Sequence, residues 1–161
     1  MKKNWLKIGA LAVIFFTLDI ASKYYAIQIL DGNSFDFLSG FLHFSLHQNH
    51  GVAFGIPIPK PLIFLLNFIL LLALSFFFNK ELDLNKKLSV LIVSMIIGGA
   101  LANILDRIVN GGVTDFIGVY IWPFFNLADS FIVVGILLLL LFHARINRVN
   151  HSYERRKSGS Q

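Results

Sequence analysis

Four long apolar runs constrain this sequence more than any other feature. We place them at residues 8–30, 62–78, 88–105 and 124–142. A helix rises 1.5 Å per residue, so about 20 apolar residues cross the roughly 30 Å hydrocarbon core of a bilayer. The runs approach that length, and 56% of the 161 residues are hydrophobic while only 14% are charged. The sequence therefore predicts an all-α membrane protein with four transmembrane helices, which form a single domain over residues 1–145.

Positive charge is concentrated at alternate ends of these runs. Cytoplasmic loops of membrane proteins retain Lys and Arg, so both termini are predicted to be cytoplasmic, with residues 146–161 forming a basic tail. Anionic lipid headgroups account for the net charge of +5, and no aromatic-spaced basic patch indicates a nucleic acid partner. The basic residues on this side are Lys2, Lys3, Lys7, Lys80, Lys86, Lys87, Arg145, Arg148, Arg155, Arg156 and Lys157.

The N-terminus has a second interpretation, because Lys2 and Lys3 precede an apolar stretch as they would in a cleaved signal peptide. The stretch continues through Asp19 and Lys23 without a persuasive small-residue cleavage site. We therefore favour a first helix that is retained in the mature protein.

Two longer segments, residues 31–61 and 106–123, are predicted to lie outside. In the first, apolar and polar residues alternate across residues 42–47, which indicates a strand with one apolar face. Such a strand could lie on the membrane surface. In the second, glycines surround residues 113–117, which indicates a turn and a short extended stretch. The sequence therefore predicts a small β-containing segment and a loop on the outer side of the membrane.

Asp19 and Lys23 place two charges inside the first run, four residues apart on one helical face. A charge at the bilayer centre costs about 2.5 to 3.5 kcal/mol on insertion scales, so each one needs a partner or a function. We favour a neutralised structural pair over direct catalysis, although Lys23 is nearer the outer end and could contact a substrate.

Three polar residues, Asn103, Asp106 and Arg107, arrive together at the outer end of the third run. Close helix packing explains the small residues Gly98 and Ala102, but it does not explain the polar residues. Helix termination with snorkelling of the charged side chains is the alternative account. We expect instead that the three residues line a site at the outer surface.

Asp115 and Asp129 are the two acids that we expect to carry out chemistry. Asp115 lies in the second outer segment and Asp129 in the early turns of the fourth run, so both can reach the outer boundary of the membrane. Two close carboxylates in a poorly solvated site tend to share one proton. That state suits hydrolysis without a metal or cofactor, because one acid takes a proton from water while the other polarises the scissile carbonyl. The same pair could equally form a proton relay or a cation site.

Other nucleophiles and metal ligands receive less support. His43, His47 and His50 could hold a metal with a carboxylate, but the sequence shows no pattern of residues that would orient such ligands. We favour interfacial packing or hydrogen bonding for these histidines. Ser130 lacks the glycine pattern of a nucleophile elbow, and the absence of Cys excludes a thiolate nucleophile.

The order of these residues resembles the signal peptidase II, or lipoprotein signal peptidase, family over about residues 7–142. The departures are Ser22, where threonine is common, and Ala102, where glycine is common. The resemblance is carried by Asp19, Ser22, Lys23, Asn49, Gly51, Ala53, Phe54, Gly99, Ala100, Asn103, Asp106, Arg107, Val113, Asp115, Phe116, Phe125, Asn126, Ala128 and Asp129.

The resemblance implies an aspartic endopeptidase with Asp115 and Asp129 as its catalytic dyad. It also implies that the substrate is a prolipoprotein with a diacylglyceryl-modified cysteine, cleaved just before that cysteine in the bacterial cytoplasmic membrane, near its outer face. Membrane lipid is then a second partner, and we expect a monomer because one chain supplies both acids. The residues expected to bind substrate or organise the site are Asp19, Lys23, Asn49, Gly51, Asn103, Asp106, Arg107 and Asn126.

Two other classes of function remain open at this stage. A transporter or proton channel could use Asp19, Lys23, Asp115 and Asp129 as a relay, but neither discontinuous helices nor an internal repeat is visible. A noncatalytic scaffold would explain the small residues of the third run, but it would leave the outer carboxylates unexplained.

Overall fold

The computed structural model describes residues 4–38, 40–51 and 59–147. Four helices carry the apolar runs, and all four are long and apolar enough to cross a membrane. The predicted mostly helical architecture with a small β segment is confirmed. The helices are α1 Trp5–Leu30, α2 Lys60–Glu81, α3 Lys87–Asn110 and α4 Leu127–Ile146.

All four helices extend beyond their predicted runs at one or both ends, and two of the differences affect the site. Helix α3 continues past residue 105 to Asn110, where Gly111 takes the left-handed conformation (φ 73°) and donates its backbone N–H to the carbonyl of Arg107. Glycine adopts this conformation without steric cost, which is why it commonly ends helices. Asp106 and Arg107 therefore lie within the last turns of α3, not in a loop.

Helix α4 begins at Leu127, three residues later than its apolar run. The run begins in a strand at Trp122–Phe125, and Asn126 caps the helix that follows. Hydropathy cannot separate an apolar strand from the helix beside it, whereas the capping residue marks where the helix starts.

An antiparallel sheet joins the two outer segments, with strands in the order β1 Phe35–Leu38, β2 Leu42–Asn49, β3 Val113–Val119 and β4 Trp122–Phe125. The strands predicted around residues 42–47 and 113–117 are present as β2 and β3, whereas β1 and β4 were not predicted. The pairing of β2 with β3 sets His47 opposite Asp115 and Asn49 opposite Val113. This register places the first outer segment directly beside Asp115, the acid of the second outer segment.

Consecutive glycines allow α3 to pack closely against two different helices. A Cβ atom on Gly98 would lie 2.5 Å from the carbonyl oxygen of Ala12 in α1, and one on Gly99 would lie 2.6 Å from the carbonyl oxygen of Ala128 in α4. Both distances are shorter than real Cβ contacts. The small residues at these positions therefore let α1 and the start of α4 pack against neighbouring faces of α3.

An apolar cluster lies at the end of the bundle away from the sheet. Phe78, Leu82 and Leu84, from the end of α2 and the turn that follows, are fully buried there. They pack with Ile8 of α1 and Ile146 of α4, among others. Most of the tail predicted at residues 146–161 lies outside the described residues, as do Ala53 and Phe54.

Candidate active site

One asparagine joins the two acids singled out in the sequence. Asn126 Nδ2 donates to Asp115 Oδ1 at 2.7 Å, while Asn126 Oδ1 accepts the backbone N–H of Asp129 at 2.9 Å. In return Asp129 Oδ2 accepts the backbone N–H of Asn126 at 3.3 Å, which completes a capping box at the start of α4. Asp115 on β3 and Asp129 on α4 are thus held beside the same side-chain amide.

A second asparagine, Asn103 of α3, supports the same arrangement. Its Nδ2 donates to Asp129 Oδ1 at 2.8 Å, and its Oδ1 accepts from Asn126 Nδ2 at 3.2 Å. Both amides are buried. Because each of their polar atoms has a defined partner, the orientation of the two amides is fixed by the network and not by the backbone alone.

The first outer segment reaches the site through Asn49 at the end of β2. Asn49 Nδ2 donates to Asp115 Oδ2 at 3.2 Å, and Asn49 Oδ1 accepts the backbone N–H of Gly51 at 3.0 Å. Asp115 therefore accepts one hydrogen bond on each oxygen, from amides on opposite sides. Gly51 is buried and is the last described residue before the gap at 52–58.

Asp115 is 1% exposed and lies on the sheet, outside the membrane-spanning helices. Burial and, to a lesser extent, the nearby charge of Asp129 raise the pKa of its carboxyl from the usual value of 3.8 to about 6. The hydrogen bonds from Asn49 and Asn126 oppose that change, since they stabilise the ionised form. The Asp115 carboxyl can therefore gain and lose a proton in the mildly acidic range.

The predicted pair in the first helix is present and extends further. Lys23 Nζ lies 2.8 Å from Asp19 Oδ2 and 3.2 Å from Asp106 Oδ2, and it donates to Asn103 Oδ1 at 2.9 Å. All four residues are buried. The ammonium of Lys23 thus joins two carboxylates, one from α1 and one from α3, to the amide that contacts Asp129.

Both of these carboxylates also accept a backbone N–H. Asp19 Oδ1 accepts from Ala128 at 2.7 Å, and Asp106 Oδ2 accepts from Thr114 at 2.7 Å. Asp106 has a further donor in the side chain of Asn110. The buried acids therefore connect α1 to the start of α4 and α3 to the start of β3.

Arg107 is half-buried beside this cluster. Its Nη1 lies 3.4 Å from the backbone oxygen of Asn103, a long contact, and its buried Nε has no hydrogen-bond partner among the described residues. A buried donor without a partner is costly. Arg107 therefore has a donor that no described residue satisfies.

The side chains of the histidines and of Ser130 contact residues other than the two acids. The rings of His43 and His47 pack against Phe124 with centroids 5.0 and 5.6 Å apart, and His50 Nδ1 lies 3.3 Å from the carbonyl oxygen of Gly111. Ser130 donates to the backbone oxygen of Asn126 at 3.1 Å. Across the described ranges, His, Cys, Asp and Glu side chains form no group of three that could hold a metal ion.

Two structural roles were missed in the sequence. Asn126 was expected at the site but not as a helix cap, although the spacing of Asn126 and Asp129 matches the N-cap and N3 positions of a capping box. The contacts of Asp19 and Asp106 with the backbone of Ala128 and Thr114 leave no comparable signal in the sequence, because they join residues from different elements.

Comparisons with known proteins agree with one another. The signal peptidase (SPase) II family profile matches residues 11–145. Lipoprotein signal peptidases of Staphylococcus aureus strains JH9 and Newman are 36% identical over 147 residues, which cover 87% of this chain and 90% of each relative. Two solved structures of a bacterial membrane enzyme superpose with a TM-score of 0.71 at 34% identity, and they cover 83% of this chain and 85% or 90% of theirs. Every residue of the site described above lies inside the matched region.

Proposed function

Because this chain belongs to the signal peptidase II family, we propose that Asp115 and Asp129 are the paired acids of an aspartic endopeptidase that cleaves lipid-modified prolipoproteins. The protein is a multi-pass membrane peptidase of that family. The observation that carries the catalytic assignment is the amide of Asn126, which bonds to Asp115 and to the backbone of Asp129 at once.

The surroundings of the two acids suggest which one activates water and which one carries the proton. Asp129 occupies the first turn of α4, where the positive end of the helix dipole favours negative charge. It also accepts hydrogen bonds from Asn103 and from the backbone of Asn126. Asp115 is the more deeply buried of the two acids, at 1% exposed, and its pKa is about 6. Asp129 is therefore the base that activates water, and Asp115 carries the proton that the pair shares.

The reaction then proceeds without a covalent bond between enzyme and substrate. Asp129 takes a proton from water as the water oxygen attacks the scissile carbonyl carbon, and Asp115 gives its proton to the developing oxyanion. In the resulting gem-diol, Asp129 passes its proton to the leaving nitrogen as the carbon–nitrogen bond breaks. Asp115 recovers a proton from a hydroxyl of the gem-diol, which becomes the new carboxyl group. Both acids return to their starting states.

Substrate recognition combines the bilayer with the free donors of Arg107. Acyl chains anchor the substrate to the bilayer by about 0.8 kcal/mol per buried CH₂, so encounter with the enzyme does not require many side-chain contacts. Arg107, whose Nε has no partner among the described residues, is the donor that we assign to a backbone carbonyl of the extended peptide. Cleavage directly before the lipidated cysteine would then follow from the depth at which the diacylglyceryl group holds that residue.

The placement in the cell follows from the same argument. The sheet, including Asp115, arises from the segments between α1 and α2 and between α3 and α4, which emerge on one side of the membrane, and Asp129 follows in the first turn of α4. The basic ends lie on the opposite side, so the site faces outward in the cytoplasmic membrane and both termini face the cytoplasm. One chain supplies both acids, which is consistent with an active monomer.

The experiment compares purified protein acting on lipidated and unlipidated precursor. We expect cleavage of the lipidated form only, with activity lost in both Asp115→Asn and Asp129→Asn. Asp36→Asn is the matched control, because Asp36 is exposed on β1, and it should cleave at the normal rate. Full activity in either dyad variant would refute the assignment of that acid.

A further inference from the structure

The backbone amide directly before each proposed catalytic acid is held by a buried carboxylate. Thr114, which precedes Asp115, donates its N–H to Asp106, and Ala128, which precedes Asp129, donates its N–H to Asp19. These two carboxylates belong to different helices, and Lys23 bridges them. The ammonium group of Lys23 is thus connected to each acid through one carboxylate and the backbone N–H that precedes the acid.

From this arrangement we propose that Lys23 is a positioning residue that sets the separation of Asp115 and Asp129 by holding Asp19 and Asp106 together. We call Lys23, Asp19 and Asp106 the Lys23 clamp. The proposal rests on the proposed function, because it takes the two acids to be the dyad.

The donors of Lys23 argue against direct contact with substrate. An ammonium group has three N–H donors, and Lys23 has three close oxygen partners on Asp19, Asp106 and Asn103. The residue is also only 4% exposed. The substrate contact considered for Lys23 from sequence would require one of these partners to be displaced.

Charge and geometry can be separated within the clamp. Asparagine at positions 19 and 106 would keep a side-chain oxygen that can accept the N–H of Ala128 and Thr114, while it would remove the negative charge. Lys23→Met alone would leave two carboxylates buried without their cation, which is strongly unfavourable. The triple variant Lys23→Met, Asp19→Asn, Asp106→Asn would be neutral and would retain both backbone hydrogen bonds.

The test measures kcat and KM of the full-length protein for lipidated precursor. Lys23→Met should lower kcat by about 100-fold, the effect expected when reacting groups move by about 1 Å, with little change in KM. The triple variant should recover at least tenfold of that loss. Lys80→Met is the matched control, because Lys80 lies at the far end of α2 and is exposed, and both constants should be unchanged.

Three outcomes would overturn the clamp. If Lys23→Met were fully active, the clamp would not position the dyad. If its KM rose with kcat unchanged, Lys23 would contact substrate, and if the triple variant were as inactive as Lys23→Met while folded, the charge itself would take part in catalysis. Asp115→Asn, measured in parallel, keeps the two proposals apart, because full activity there would refute the dyad and not the clamp.

A separate observation concerns the far end of the sheet. The turn between β1 and β2 and the turn between β3 and β4 lie side by side, because Tyr120 donates its backbone N–H to the carbonyl of Phe41 at 2.7 Å. Four large, exposed side chains project there, and Ile121 is 86% exposed. We call this set the aromatic tip; it consists of Phe41, Tyr120, Ile121 and Trp122.

Tyr120 has a backbone conformation that favours glycine. Its φ is 47°, and among the described residues it is the only one other than glycine with a positive φ. A side chain in this conformation is strained, and this one is 67% exposed, so packing within the protein does not offset the strain. Strain of this kind is commonly retained where the side chain has a function.

We infer that the aromatic tip inserts into the headgroup region of the outer leaflet and holds the sheet at that depth. Trp and Tyr favour this region of a bilayer, and the described residues of both turns carry no charge. The outer end of α1 also carries exposed aromatic side chains, Tyr24 and Tyr25, and β1 follows this helix after four residues. Lipid, which already surrounds the helices, is therefore the occupant that the surface fits.

Fluorescence of the two tryptophans tests the inference without any assay of activity. Trp5→Phe leaves Trp122 as the reporter, and the protein is placed in phospholipid nanodiscs that carry a quencher either near the headgroup or near the bilayer centre. We expect the headgroup quencher to reduce the emission of Trp122 more than the quencher near the bilayer centre does. Aqueous iodide should quench Trp122 much less than it quenches a tryptophan in free solution. Adding Phe41→Ser and Ile121→Ser should restore quenching by iodide.

Two results would overturn the inference. Free access of iodide to Trp122 in nanodiscs would show that the tip stands in water. Protection from iodide without quenching by either labelled lipid would show that protein, such as a second copy of this chain, covers the tip. Trp122→Phe, which leaves only Trp5 on α1, is the control that separates the two emission signals.

Discussion

The side-chain nitrogen of Asn126 lies 2.7 Å from Oδ1 of Asp115, so the residue that caps α4 also fixes the acid on β3. Aspartate at this position would keep an oxygen for the cap but would have no donor for Asp115, and it would add a like charge beside it. We expect Asn126→Asp to reduce kcat/KM by about 100-fold or more, as for loss of an oriented donor in a buried site. Thermal unfolding in detergent should show that α4 remains folded.

A change in α4 that leaves the hydrogen bond between Asn126 and Asp115 intact should have little effect on kcat/KM. Ser130→Ala removes a hydroxyl that donates to the backbone oxygen of Asn126. Because substitutions that remove no contact with the acids have small effects, kcat/KM should stay within about twofold of the parent protein. Equal losses in both variants would mean that disturbance of α4, not the lost contact with Asp115, explains the result.

The raised pKa of Asp115 predicts the pH dependence of hydrolysis. With a pKa of about 6, the shared proton is lost as the pH rises past that value, so kcat/KM should fall on the alkaline side with an apparent pKa near 6. That value belongs to the pair of acids and not to one residue alone. Initial rates for lipidated precursor between pH 4 and pH 9 would measure it, and a flat profile above pH 6 would contradict the prediction.

Asn49 offers a directional test of the same carboxyl. Its hydrogen bond to Asp115 stabilises the ionised form and lowers the pKa, so Asn49→Ala should raise the pKa and move the alkaline limb to higher pH. Asn33→Ala is the matched control, since the exposed Asn33 amide contacts only the backbone of Asp31. A limb that moves to lower pH in Asn49→Ala would reverse the assigned role of the hydrogen bond.

Stability should depend on the same proton. Because the pKa of Asp115 is higher in the folded protein than its usual 3.8, the native state binds more protons than the unfolded state between about pH 4 and pH 6. The contribution of Asp115 to the free energy of unfolding must therefore fall as the pH rises through that window. Asp115→Asn removes this contribution, so the stability of the variant relative to the parent should increase from pH 4 to pH 6 and then level off in denaturant titrations.

Gly99 tests the close approach of α3 and α4. A Cβ atom there would lie 2.6 Å from the carbonyl oxygen of Ala128, which is backbone and cannot turn away. Gly99→Ala should reduce the free energy of unfolding by about 1 to 3 kcal/mol, the usual range for an overpacked interior, and should reduce kcat because Ala128 precedes Asp129. Gly9→Ala in α1, where nothing lies within 4 Å of the added atom, should leave both quantities nearly unchanged.

The features determined by the sequence are those with a local physical cause. A helix must carry about 20 predominantly apolar residues to cross a bilayer, so the four runs showed the helices directly. Alternation of polar and apolar residues has the period of a strand, which showed β2. The cost of charge in lipid marked Asp19 and Lys23 as paired or functional.

Only the tertiary structure decided how these residues are used. Asp19 caps the start of α4 across 109 positions of sequence, and Asn49 reaches Asp115 across 66. Strand β4 and the true start of α4 were hidden within one apolar run, because lipid and a packed sheet both favour apolar side chains. Contacts between distant segments depend on helix packing and strand register, and neither the period nor the composition of a single segment records them.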